Sequence, residues 1–220
     1  MSTDFLPSRN GFAFPNSWPS EPAVVLQIPR GGRLGIGNAA RGLCGGMVFA
    51  ALDYWHAQSE PPVARPAAGT PLYQFIVRRL VDSWHIPSGV LRYYYWMNLP
   101  DGGSGRGVSW RTIRQQWPRV RASIDAGRPA PLGVVTMASW WPGLLGRNHQ
   151  VLAYGYEVSG DEVRLAVYDP NSGPADDIQI SFSTAAPALP TTFAHNINIA
   201  WPVRGFFVTS YSAATPPTVA

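Results

Sequence analysis

The chain has 220 residues, 45% of them hydrophobic and 12% aromatic, which is enough to bury the core of one large domain and unlike a disordered chain. Its net charge of +4 rests on 17 basic residues, all of them arginine, so Schiff-base lysines, P-loop lysines and serine–lysine dyads are excluded. The single cysteine, Cys44, excludes an internal disulfide and a cysteine-built zinc cluster, and leaves either a small core residue or a reactive thiol.

The arginines are scattered from Arg9 to Arg204 rather than gathered into a patch, which argues against a nucleic-acid partner. No basic start followed by an apolar run opens the chain. The longest uncharged stretch, 178–203, is broken by Pro187, Pro190 and Pro202 and does not read as a membrane span. The expectation is therefore a cytoplasmic chain, with signal-independent export left open, without membrane attachment, metal or cofactor; its oligomeric state is not readable.

In chain order, residues 1–22 mix Phe5, Phe12, Phe14 and Trp18 with prolines and predict an extended arm lying over the core. Residues 23–28 predict a short strand, ended by Pro29 and a glycine-rich break at 31–37. From Met47 to Trp55 the sequence is apolar nearly all round, with Asp53 its only charge, as in a buried central helix with Cys44 at its N-terminus. After a Pro/Ala/Gly loop at 59–70, an amphipathic pattern predicts a helix over 72–84 and a second over 89–98. Ser109 is placed as the cap of a third, and Trp117-Pro118 as the start of a last one ended by Gly127.

The period then changes. Segments 131–136, 150–158, 162–168, 178–182 and 205–211 are short, rich in β-branched and aromatic residues, and bounded by turn residues. One α+β domain over 1–220 follows: the arm, a mainly helical half at 23–130, an antiparallel β half at 131–212 and a flexible tail at 213–220.

A cysteine at a helix N-terminus is favoured as thiolate by the unsatisfied N–H groups and the helix dipole. Gly45 and Gly46 are poor helix formers; they serve either tight helix packing or the close approach of a substrate backbone. A thiolate catalyst needs a histidine and a group to orient it. His149 stands before one predicted strand, and Asp169 and Asn171 end the next. A Ser159-Gly160 hairpin loop sets His149 opposite Pro170, beside Asp169; moving the loop by one residue sets it opposite Ser172, beside Asn171. Asp169 is the first choice of orienting group and Asn171 the reserve. His56, His85 and His195 have no such partner in the sequence. Trp140-Trp141, in the loop before His149, and the aromatic run 93–96 are candidates for a ligand groove, or else core. Gly35-Ile-Gly37-Asn-Ala-Ala40 fits a dinucleotide fingerprint, but the glycines at 42, 45 and 46 interrupt the helix it requires.

Gly42-Leu-Cys44-Gly opening a buried helix, Asn148-His149-Gln-Val-Leu-Ala-Tyr-Gly-Tyr opening a strand, and Asp169-Pro ending the next resemble the papain-like cysteine peptidase superfamily. They are most similar to the branch with bacteriocin leader peptidases, whose third residue is an aspartate. Residues 122–135 look like the helix and strand that precede the histidine in that fold. The resemblance covers roughly 38–171 and implies a papain-like α+β fold, a Cys44–His149–Asp169 triad and hydrolysis of a peptide or other amide through an acyl-enzyme. The family's oxyanion glutamine falls on Asn38, which keeps the amide donor on a shorter arm. Rival outcomes are a catalytically dead papain-like binding domain, and a transglutaminase, deamidase or cell-wall amidase using the same triad.

Overall fold

The computed structural model describes residues 1–18, 43–197 and 202–218 in full, apart from the side chain of residue 142, and the strands at 22–28 and 32–38 by their backbone. Among them the chain is α+β. Helix α2 (Cys44–His56) is its axis, with Cys44 through Tyr54 all buried. A helix without a polar face must be covered on every side, and the sequence supplies the covers. Helix α3 (Pro71–Ser83) starts at Thr70, whose hydroxyl accepts from the Tyr73 N–H, and lays Leu72, Phe75, Ile76 and Leu80 against α2. Gly46 permits this contact: a Cβ there would strike the Ile76 carbonyl oxygen and lie 3.1 Å from Leu80 Cβ.

The predicted arm is present and holds one helical turn, α1 (Pro7–Asn10); Phe5, Phe12 and Phe14 are buried in the same cluster as α2. The tail departs from expectation. Ala214 N–H donates to Asp53 at 2.8 Å and Pro217 O accepts from Tyr54 OH at 3.0 Å, so the chain to that point is bound to α2. The glycine-rich break is also corrected: β1 (Pro22–Ile28) and β2 (Gly32–Asn38) pair as an antiparallel hairpin, because glycine does not prevent a strand whose backbone is paired. Gly35 and Gly37 lie inside β2 instead of opening a helix, so the dinucleotide fingerprint is ruled out.

Helix α4 (Ser88–Met97) follows, then a helical run made of α5 (Val108–Arg111), a π-helical turn (Thr112–Gln116) and α6 (Trp117–Asp125). Ser109 lies within α5 and does not cap it: Gly107 is the cap, and the Ser109 hydroxyl accepts from the Thr191 N–H at 2.9 Å. Strands β3 (Ala130–Val135), β4 (His149–Ser159), β5 (Glu162–Tyr168), β6 (Gln179–Ser183), β7 (Ala194–His195) and β8 (Gly205–Val208) form one antiparallel sheet ordered β7-β6-β5-β4-β3-β8. The last strand stops at Val208, short of the expected 211.

This sheet curls. Phe182 on β6 and Phe206 on β8 are four strands apart in the order, yet their ring centroids are 5.7 Å apart. The concave face holds Leu132, Val134, Val151, Ala153, Leu165 and Val167 with Val120 and Ile124 of α6. The other face gives Leu152 and Tyr168 to α2 and Val135 and Phe207 to α4. At Gly133 a Cβ would stand 2.6 Å from the Phe207 ring and 2.7 Å from Tyr93 OH, so only glycine admits α4 this close.

Asp53 is the polar exception inside α2. Arg79 Nε lies 2.7 Å from its Oδ2, and Tyr211 OH and the Ala214 N–H donate to Oδ1. Burial raises the carboxyl above its ordinary 3.8, against the pull of these donors and of Arg79. Asp53→Ala takes the buried partner from Arg79 Nε, leaving the guanidinium to Asp82 and the Ser212 carbonyl, and releases the tail, so it is expected to cost about 3–5 kcal/mol by urea denaturation.

Candidate active site

Cys44 is the first residue of α2. Leu43 gives no side-chain cap, and the first bond of the helix runs from the Met47 N–H to the Leu43 carbonyl at 2.8 Å. The N–H groups ahead of Met47 therefore have no partner within the helix. His149 begins β4 and Asp169 follows the end of β5, which puts both at one end of the sheet. His149 Nε2 is 2.9 Å from each Asp169 carboxylate oxygen, and Cys44 is near enough to the ring to favour its charged form. The contacts to Asp169 occupy Nε2 and leave Nδ1 as the ring's other nitrogen.

Near the turn the hairpin has the second of the two expected registers, and a bulge then shifts it by one residue before His149. Its loop is Gly160-Asp161, with Ser159 facing Glu162 and Gly160 at φ +59. Tyr154 is then an extra residue on β4: Gly155 faces Ala166 but Ala153 faces Val167, a β-bulge. The bulge also explains why Leu152 faces α2 whereas Tyr156 faces α6. Asn171, the reserve, does not orient the imidazole. Its N–H donates to Asp169 Oδ1 at 2.8 Å, and its side chain accepts from Asn16 at 3.1 Å.

Asn16 was not singled out in the sequence, and it ties the site together. Besides Asn171 it takes the Leu43 N–H at 3.2 Å, and its own N–H donates to the Pro170 carbonyl at 2.8 Å. The residue before Cys44 and the loop after Asp169 are thus joined by the arm. Tyr93 is a second such residue: buried in the core, its OH donates to the His149 carbonyl at 3.2 Å. Burial, and then the Cys44 charge nearby, hold that phenol well above its ordinary 10. The third is His195, whose Nε2 lies 3.1 Å from Asp169 Oδ2. The alternation Phe193-Ala-His195-Asn-Ile197 was the available signal for its strand.

The glycines after Cys44 have a packing role. A Cβ at Gly45 would strike the Ser83 hydroxyl and lie 2.7 Å from the Gln150 amide, and Gly46 faces α3. Trp140 and Trp141 are exposed on the loop that ends at His149, while Tyr93 and Trp96 belong to the core. Asn38 is the last residue of β2, and its side chain lies outside the described residues. His56 stacks on Tyr211 and His85 meets the Ser210 carbonyl, both away from Asp169.

Electrostatically the site is a buried ion pair. Burial disfavours the His149 imidazolium, but Asp169 and Cys44 together outweigh it and hold the ring well above the ordinary 6.5. Burial would likewise raise Asp169. The His149 charge, then hydrogen bonds from His149, His195 and the Asn171 N–H, hold it far below the ordinary 3.8. Among the described residues no group of histidine, cysteine and acidic side chains is disposed to hold a metal ion, and no helix is long and apolar enough to cross a membrane. Comparison with protein-family models, curated proteins and solved structures finds no match for this chain.

The sign of the pH dependence follows. A lowered carboxyl stabilises the fold above its unfolded value of 3.8 and ceases to as pH falls through its folded value; a raised imidazole stabilises it below 6.5 and ceases to as pH rises through its folded value. Both contributions are complete only between these unfolded values. The melting-temperature gap between the parent chain and Asp169→Asn should be widest there and shrink on either side. A gap independent of pH would contradict the pair.

Proposed function

We propose that this chain is a papain-like cysteine hydrolase of amide or peptide bonds, with Cys44 as nucleophile, His149 as acid and base, and Asp169 as the group that fixes the imidazole. The observation that carries the reading is the His149 ring held at 2.9 Å by both oxygens of Asp169, with Cys44, at the start of a buried helix, near enough to favour the ring's charged form. A buried helix opening at the cysteine and an antiparallel sheet carrying the histidine and aspartate at one end support the same assignment.

In this reading the His149 imidazolium, stabilised by Asp169, keeps the Cys44 sulfur as thiolate. The thiolate adds to the substrate carbonyl carbon, and the developing oxyanion meets the first-turn N–H groups of α2, the Cys44 N–H foremost. His149 then delivers its proton to the departing nitrogen as the C–N bond breaks and leaves a thioester. Water, giving a proton to His149, adds to the thioester; release of the acid regenerates the thiolate–imidazolium pair. Asp169 stays ionised throughout. The exposed indoles of Trp140 and Trp141 give a substrate chain apolar surface on the loop entering His149.

Because Cys44 is only 6% exposed, the probe must be small. Iodoacetamide at about pH 6 should alkylate Cys44 at least tenfold faster than free cysteine, and His149→Ala should remove that advantage. Mass spectrometry of peptides and peptidoglycan fragments incubated with the protein then separates hydrolysis from acyl transfer. An inert thiol in the folded protein would instead mean a domain that binds without reacting.

A further inference from the structure

Asp169 has more donors than its role toward His149 requires. Its side chain is fully buried, and His149 Nε2 sits 2.9 Å from both oxygens, an arrangement that leaves the carboxylate free to swivel about the shared proton. Two other groups remove that freedom. The Asn171 N–H donates to Oδ1 at 2.8 Å, and His195 Nε2 lies 3.1 Å from Oδ2.

The tautomer of His195 follows from its other nitrogen. Nδ1 accepts from the Ile197 N–H at 3.2 Å, so in the neutral ring the proton is on Nε2, toward Asp169. Among the described residues Nε2 meets no well-formed hydrogen-bond partner, and Asp169 Oδ2 at 3.1 Å is the carboxylate oxygen within reach of its proton. The side chain is only 1% exposed, so water does not compete. Backbone pairing supplies the position: Ile180 and His195 face each other across β6 and β7, which sets His195 on the concave face with Ile180.

We propose that His195 is a positioning residue of the site: by donating from Nε2 to Asp169 Oδ2, opposite the Asn171 N–H on Oδ1, it locks the plane of the carboxylate that orients His149. The proposal rests on the reading of Cys44 and His149 as the reactive pair. His195 touches neither the thiol nor a substrate in this scheme, and it acts only through Asp169.

The test uses the full chain and two readouts. The first is the His149 Nε2–H proton by NMR of ¹⁵N-histidine-labelled protein, which reports on the hydrogen bond to Asp169 whether or not Cys44 reacts. The second is the pH–rate profile of Cys44 alkylation by iodoacetamide. In His195→Ala the Nε2–H signal should move upfield and exchange faster, and the alkylation rate at about pH 6 should fall roughly 10- to 100-fold as the acidic limb shifts to higher pH. His195→Gln, which keeps an N–H of similar reach, should restore most of both. His195→Phe keeps the ring volume without the donor and should behave like alanine; it serves in place of alanine if that variant does not fold. A folded His195→Phe or His195→Ala with unchanged signal and unchanged profile would overturn the proposal. An inert thiol in the parent chain, with a signal that still responds to His195, would instead overturn the catalytic reading and leave the positioning role standing.

Discussion

A helix with no polar side cannot rest against the outside of a protein, and α2 is such a helix from Cys44 to Tyr54. Its requirement for cover organises the rest of the chain. Phe5, Phe12 and Phe14 close one side, α3 another, and Leu152, Tyr154 and Tyr168 of the sheet a third, while the tail lies over Tyr54 and Asp53. Each large apolar side chain so buried contributes about 1.5–3 kcal/mol relative to exposure. The same enclosure fixes the helix axis, so the position of its first residue is set by the whole core and not by a local turn.

Two buried carboxylates share this interior and have opposite fates. Asp53 has an arginine, a tyrosine and a backbone N–H, yet burial prevails and its proton affinity rises. Asp169, equally enclosed, is pulled far the other way by a histidine charge and by donors on both oxygens. The difference is one of use. Asp53 fastens elements to one another, whereas Asp169 sustains a charge on a neighbour, and this is the condition a thiolate–imidazolium pair needs.

Much of this was legible in the sequence because it depended on periodicity. The all-round apolar run gave α2 within its true bounds at Cys44, and the strands at 162–168 and 150–158 fell within one residue of β5 and β4. The hairpin was legible and brought His149 to the end of β5, but the loop expected to set it beside Asp169 is shifted by one residue and a bulge moves the register again. What escaped was tertiary. Asn16 acts through contacts more than 25 residues away in sequence, Tyr93 through a backbone carbonyl on another element, and His195 from a two-residue strand whose short alternation does not show that it meets Asp169. Gly45 and Gly46 were ambiguous for the same reason: tight packing and an open approach to substrate both demand a small residue, and only the identity of the neighbours separates them.

The extra residue at Tyr154 divides the long hairpin into two independently registered parts. Beyond it lie the turn and the exposed ends around Glu157 and Arg164; before it lie His149 and the strand end that carries Asp169. Insertions or deletions near the turn can therefore be absorbed at the bulge, where the ladder is already out of step, without rotating His149 to the wrong face. The far end of the hairpin is thereby free to diversify in length, and the spacing that matters to the thiol is insulated from it.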